Sequence, residues 1–321
     1  MKRTVKSFCL GLLSFYFCAA TVFAADMLVP VGEVIGLELS SGTVTVAAYD
    51  DDLTAAKNAG IQIGDELVAI DGNAITCAED VRKALVSSDG DVDLVVSREG
   101  KETRIRLEPD ITAEGPRLGV YLRQGITGIG TVTFYDPDTG HFGTLGHGVN
   151  DGKGNLLSMK TGHAYPAAVV SVQKGKSGTP GQLKGALKGN CLLGALSVNS
   201  PRGVFGTAPN AWTGTAIPVA AFDEIHTGSA TIRSTVGGNG PRDYSVEILK
   251  IYSKDRSDGR NLLIRVTDPD LLETTGGIVQ GMSGSPIMQE GKLVGAVTHV
   301  LVNDPTTGYG IFIENMLDAA A

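Results

Sequence analysis

The chain has 321 residues, a net charge of −8, 43 glycines and few aromatics, a length that suggests about two domains. An acidic chain with no Lys/Arg cluster excludes a nucleic-acid surface of the usual kind, and abundant Gly among Val, Ile and Thr points to many short strands joined by tight turns. Two of the four cysteines, Cys9 and Cys18, sit in the first 24 residues. The remaining pair, Cys77 and Cys191, lies too far apart in sequence to suggest a disulfide framework or a zinc site; both are expected to be small buried hydrophobes.

Taken in order, Met1–Ala24 reads as an export signal or signal anchor: Lys2, Arg3 and Lys6 precede an apolar run from Phe8 to Phe23, which ends before the small residue Ala24. Residues 25–30 read as a linker. Val31–Pro109 reads as a compact module with strands Gly42–Ala48, Glu66–Ile70, Val92–Arg98 and Glu102–Leu107. Helices are expected over Leu53–Asn58 and Cys77–Ser87, with Thr76 as N-cap and Glu79 three residues on. Asp50-Asp51-Asp52 lacks calcium-loop spacing and is expected to be a solvated turn leading into a helix. From Gly115 onward the texture is alternating strands with glycine punctuation, among them Gly130–Tyr135, Ala167–Gln173, Ala230–Val236, Ser245–Tyr252, Leu262–Val266 and Lys292–Val302. A helix is expected near Ile313–Leu317. Overall the fold class is mainly β.

The segment from Ala59 to Gly72, Ala-Gly-Ile-Gln-Ile-Gly-Asp-Glu-Leu-Val-Ala-Ile-Asp-Gly, resembles the signature of PDZ domains, which implies a PDZ module over 31–109. Such modules bind a peptide as an added strand and hold its terminal carboxylate on loop N–H groups. By that resemblance the loop is Ile35-Gly36-Leu37, although Glu38 replaces the second glycine of the usual pattern. The alternative is a module that only positions or regulates its neighbour.

Gly281-Met282-Ser283-Gly284-Ser285-Pro286 resembles the nucleophile turn of chymotrypsin-like serine proteases; the other reading is a surface turn. Glycine at 281 and 284 permits unusual dihedrals, and the N–H groups of Gly281 and Ser283 would form an oxyanion hole. Of the five histidines, His141, His147, His163, His226 and His299, none has metal-ligand spacing. His147, flanked by Gly146 and Gly148 between Leu145 and Val149, suits a held but reachable base. Thr298 and His299 fall on the strand after the nucleophile and are candidates for a specificity wall. For the acid, spacing leaves Asp136, Asp138, Asp151 and Asp268 open.

An export segment, a PDZ-like module, Leu145-Gly146-His147-Gly148, Val266-Thr267-Asp268, Gly276–Pro286 and Gly295–Pro305 occur in that order. In this the chain resembles the stage IV sporulation protein B peptidase family. The resemblance implies a double β-barrel serine peptidase over 115–321 with catalytic His147, Asp268 and Ser283, and no cofactor or metal. It also implies an extracytoplasmic setting between mother cell and forespore. The substrate would be the extracytoplasmic part of a membrane regulator of an intramembrane protease, cleaved to activate late sporulation signalling. Two alternatives stay open: a catalytically silent PDZ-containing binding protein, and a quality-control protease of the HtrA kind, which usually places its PDZ module after the protease.

Overall fold

The computed structural model describes residues 27–321 except 153, 190 and 257; the export segment Met1–Ala24 lies outside these. Two six-stranded rings dominate. In the first, the long strand Val34–Tyr49 pairs with the long strand Val120–Tyr135. The ring continues through His141–Thr144, Gly203–Thr207, Gly194–Ser200 and Thr161–Gln173 back to Val34–Tyr49. In the second, Gly228–Ser234, Arg242–Ile251, Leu262–Val266, Asp304–Phe312, Lys292–Leu301 and Pro286–Gln289 close into a barrel. The mainly β, double-barrel architecture follows from these pairings alone. Closure satisfies every strand edge within each ring, and alternating residues fill each interior.

Apolar packing joins the two barrels. Leu28, Phe134 and Phe205 from the first meet Met288, Leu293, Ala296 and Ile311 from the second. The helix Ile313–Ala320 closes this seam with Ile313 and Met316. No helix among the described residues is long and apolar enough to cross a membrane.

The N-terminal module is an insertion rather than a preceding domain. Val44, Val46, Ile61, Leu67, Ile70, Val81, Leu85, Val92, Leu94 and Val96 share a core of their own, which ends at Leu118. Val31, Ile35, Leu37 and Leu39 instead belong to the core of the first barrel. The chain therefore leaves the barrel along Val34–Tyr49, builds the module, and returns along Val120–Tyr135. The boundary lies where register jumps from Leu39 opposite Ile126 to Val44 opposite Gln124. There Gly125 has φ +79°, and a Cβ would stand 2.4 Å from the Leu39 carbonyl oxygen, so only glycine lets the two strands kink.

Several expectations change accordingly. Residues 27–30 are not linker but a strand, paired with Ile217–Pro218 and with Phe134 and Tyr135. Ile35-Gly36-Leu37 is not a carboxylate loop: it is central barrel strand, paired on one side with Ala164–Pro166 and on the other with Gly128–Gly130. Its backbone groups are spent within the sheet. The helix Ala78–Ser87 is capped at Cys77, one residue later than expected, and Asp80 rather than Glu79 closes the box by accepting from the Thr76 and Cys77 N–H groups. The helix Ala55–Ala59 takes its N-terminal acceptor from Asp110, which binds the Thr54 and Ala55 N–H groups, not from the Asp50–Asp52 run. Cys191 is exposed and Cys77 half-buried, both free thiols; their loop and helix-cap positions place them at the surface rather than in a core.

Within the module, the signature aspartate Asp65 has a structural task. Burial alone would raise its pKa, but the fork of Arg98 at 2.8 Å and the Gln62 N–H hold it below the usual carboxylate value.

Because the Leu39–Ile126 pair closes the barrel before the module begins, the module is expected to be removable. Replacing residues 41–124 by an Asn-Gly turn should leave a soluble chain that still melts cooperatively. Loss of the cooperative melt in a calorimetric scan would show that the barrel needs the insertion to fold.

Candidate active site

The nucleophile turn belongs to the second barrel but is fastened to the first. Thr131, Thr133 and Thr144 are fully buried. The Thr131 hydroxyl donates to the Gly281 carbonyl at 2.8 Å, and the Thr133 hydroxyl to the Gly284 carbonyl at 2.7 Å. The Thr131 N–H donates to the Ser283 carbonyl at 3.0 Å. The Thr144 hydroxyl completes the set by donating to the Thr131 carbonyl. On the other side the Gly284 N–H donates to Val297 and the Val297 N–H to Ser285.

Both expected glycines are required. Gly281 and Gly284 have φ +97° and +95°, and a Cβ on Gly284 would lie 2.0 Å from the Thr131 carbonyl oxygen. The Met282, Gly284 and Ser285 N–H groups are used inside the protein. Among the described residues, those of Gly281 and Ser283 donate to no protein acceptor, which leaves two adjacent donors for an incoming oxygen. Ser285 is structural: it is fully buried and its hydroxyl donates to Ser234.

His147 follows the strand His141–Thr144 on a turn that puts Leu145 at φ +68° and Gly146 at φ +66°. Left-handed backbone at a leucine costs on the order of 1–3 kcal/mol. Burial of Leu145 in the first-barrel core offsets it. Gly146 is needed for close approach, since its Cβ would meet Thr298 at 2.9 Å. His147 and Ser283 line one cleft of about 320 Å³, together with Leu37, Ile129, Gln280 and Gly281. His147 Nδ1 lies 2.9 Å from the Gly148 carbonyl oxygen. A carbonyl only accepts, so the proton sits on Nδ1 and Nε2 is the basic nitrogen. Burial holds the His147 pKa below its ordinary value, partly countered by that carbonyl. The Ser283 hydroxyl donates to the Thr298 carbonyl at 2.8 Å; rotation about χ1 has to release it before it can meet Nε2.

Asp268 is not in this group. Its carboxylate caps the helix Pro269–Thr275, accepting from the Leu271 N–H at 3.0 Å and the Ser245 N–H at 3.3 Å. The level of His299 on the second barrel is that of Tyr309 and Leu263, and Val266 is about 10 Å farther along that strand at ~3.3 Å per residue, with Asp268 beyond it. The orienting acceptor on His147 is the Gly148 backbone carbonyl instead, which no residue-type pattern announces. Asp136 and Asp138 sit in the turn before His141, where Asp136 accepts from the Asp138 N–H and the Thr139 hydroxyl; Asp151 closes a turn with the Asn155 N–H. Thr298 is buried and donates to the Tyr309 carbonyl. The His299 ring stands 5.3 Å from that of His147. His141 and His226 are exposed, and His163 is half-buried within a strand. Among the described residues no group of three His, Cys, Asp or Glu side chains is arranged to hold a metal.

Three outcomes test this geometry. Thr131→Val keeps shape but leaves the part-buried Gly281 carbonyl without its donor, which costs about 1 kcal/mol. It should also lower kcat by about tenfold to a hundredfold through a displaced turn, as measured by chemical melts and single-turnover rates. Asp268→Ala should cost about 1 kcal/mol as a lost helix cap with kcat changed by only a few-fold. A loss of about four orders of magnitude in kcat at an unchanged melting temperature would restore it to a triad. The third concerns pH. The base must be neutral, and with a folded pKa below 6.5 the acid limb of kcat/KM should have its midpoint below pH 6.5. His299, pushed down to about 4 mainly by burial, shares the sign. The unfolded chain binds more protons than the folded one between pH 6.5 and 4, so melting temperature should fall with pH across that window, less steeply in His299→Phe.

The family described as SpoIVB peptidase S55 matches residues 114–317. A curated relative, the putative zinc metalloprotease Atu1380 of Agrobacterium fabrum, is 36% identical over 98 residues, which are 30% of this chain; the chain spans 25% of that relative's length. Among solved structures, the Rv3671c protease in its inactive form is 16% identical with a TM-score of 0.34, covering 60% of this chain and 82% of that one. The active form from M. tuberculosis is 16% identical with a TM-score of 0.36, covering 61% and 73%. The match over 114–317 contains both His147 and Ser283, and the chain belongs to the SpoIVB peptidase S55 family.

Proposed function

We propose that the chain is a serine endopeptidase acting outside the cytoplasm, with Ser283 as nucleophile and His147 as general base and acid. The observation that carries this is the shared cleft of His147 and Ser283, formed by turns from opposite barrels, beside two unspent N–H groups. Ser283 Oγ attacks the scissile carbonyl as its proton passes to His147 Nε2, and the developing oxyanion lies on the Gly281 and Ser283 N–H groups. Collapse of the tetrahedral species returns the proton to the leaving amine, and water repeats the sequence to free the acid product. The Gly148 carbonyl keeps Nδ1–H in place through both halves.

The physiological substrate in this reading is the extracytoplasmic part of a membrane regulator, cleaved to release late sporulation signalling. It is supported by family membership and by the export-like Met1–Ala24. The inserted module is read as a PDZ unit on the strength of Ala59–Gly72. Its peptide would add along Val120–Gln124, a strand segment that among the described residues pairs only with Val44–Tyr49. The helix Ala78–Ser87 is tied to it there by Ala78 N–H donating to the Gln124 side chain.

Mass spectrometry of the wild type and Ser283→Ala after incubation with the extracytoplasmic part of a membrane-bound regulator tests the assignment. Wild type should cut it and take up a fluorophosphonate at Ser283, and Ser283→Ala should do neither. Cleavage that persists in Ser283→Ala would sink the nucleophile assignment.

A further inference from the structure

Beside His147, outside the cleft it shares with Ser283, a second wall is built from three side chains. The His299 ring packs on His147 with centroids 5.3 Å apart and planes at 43°. Tyr309 stands directly opposite His299 in strand register, so both project from the same face. The Arg260 guanidinium lies 5.2 Å over the Tyr309 ring. The loop that carries Arg260 packs against the histidine turn itself, since a Cβ on Gly259 would stand 3.9 Å from the Gly146 carbonyl oxygen.

This wall is short of an acceptor. Among the described residues, the buried side-chain nitrogens without a hydrogen-bond partner are Arg260 Nε and His299 Nδ1. Arg260 makes no ion pair there. Asp258, two residues before it, gives its oxygens to Arg256 at 2.9 and 2.6 Å and to the Arg260 backbone N–H. A guanidinium stays charged at any working pH; Arg260 is half-buried overall, and only its Nε is enclosed without a partner, a position in which a donor is seldom left unanswered. Asp258 feels the Arg260 charge, which is one of the causes holding its carboxyl low, but its oxygens are bonded to Arg256 and to the Arg260 backbone rather than to the Arg260 guanidinium. His299 is neutral near pH 7, held low by burial first and then by His147 and Arg260, with Asp258 acting only weakly against them. His147 is likewise neutral in its resting form. A planar two-oxygen anion is the group that satisfies a guanidinium with directed bonds. On the peptidase reading, on which this inference rests, the molecule lying beside His147 is a peptide, and its carboxylate is a side chain.

We propose that Arg260, backed by Tyr309 and joined by His299, is a specificity subsite for an aspartate or glutamate side chain close to the scissile bond. The ligand class is thus an acidic peptide segment.

Matched peptides carrying Glu, Gln or Lys at each position flanking the scissile bond, assayed with the full chain, test this. At one position wild type should prefer Glu over Gln by about tenfold to a hundredfold in kcat/KM, as expected for a charge-assisted bond. In Arg260→Gln that ratio should fall to about one, and in Arg260→Glu the preference should pass to Lys at the same position. Arg260→Lys, which keeps the charge, should retain the sign of the preference and guards against a variant that fails to fold, with fluorophosphonate labelling of Ser283 as the check on an intact centre. A wild type without preference at any position, or a preference that survives in Arg260→Gln, overturns the subsite. Absence of both cleavage and labelling in wild type overturns the peptidase reading and this inference with it.

Discussion

Everything at this centre depends on a seam in which side chains of one barrel hold the backbone of the other. Thr131 and Thr133 face the carbonyls of Gly281 and Gly284, the first bond part-buried and the second fully buried. Each of these bonds is worth about 1 kcal/mol net, but an unanswered buried carbonyl costs more than the bond returns. The turn consequently has one low-energy position relative to His147, which arrives on the first barrel. A nucleophile and a base on separate barrels need such a constraint, because small relative displacements are expensive in rate.

The same seam accounts for the unusual backbone around the His147 and Ser283 turns. Gly284 must pass against the Thr131 carbonyl, and Gly146 against Thr298 and Ile311. Leu145 accepts left-handed dihedrals because its side chain is anchored in the first-barrel core. Strain of this kind survives only where the surroundings over-determine it. In the resting arrangement Ser283 points to the Thr298 carbonyl and His147 to that of Gly148. Both side chains are satisfied by main-chain acceptors in this arrangement.

The inserted module shares a ladder with the catalytic barrel without sharing its core. Val34–Tyr49 and Val120–Tyr135 run through both units, and the kink at Gly125 marks the change of core. Two continuous strands make a stiffer connection than a flexible linker. A peptide bound beside Val120–Gln124 would lie on the same strand that ends, past Thr131, at the seam with the nucleophile turn.

Much of the site could be read without coordinates because its chemistry is local. Gly281 and Gly284 are demanded by turn dihedrals that only glycine adopts freely, and His147 and Ser283 sit in motifs whose neighbours hold them. The strands were legible where period-2 alternation reflects a one-sided core, as in Val92–Arg98 and Ser245–Tyr252. The capping task of Asp268 was not legible because an aspartate at a strand end can serve as a helix N-cap or as a catalytic acid, and only its partners Leu271 and Ser245 show which bonds it makes here. Ile35–Leu37 was misassigned because a short Gly-containing apolar stretch fits a loop as well as a central strand, and only its two flanking partners decide between them. The insertion of the module, the Thr131–Thr133 fastening and the wall of Arg260, Tyr309 and His299 join residues up to about 150 positions apart. Such pairings leave no periodic trace along the chain. They arise when two closed barrels press together and their buried carbonyls and cations have to find partners.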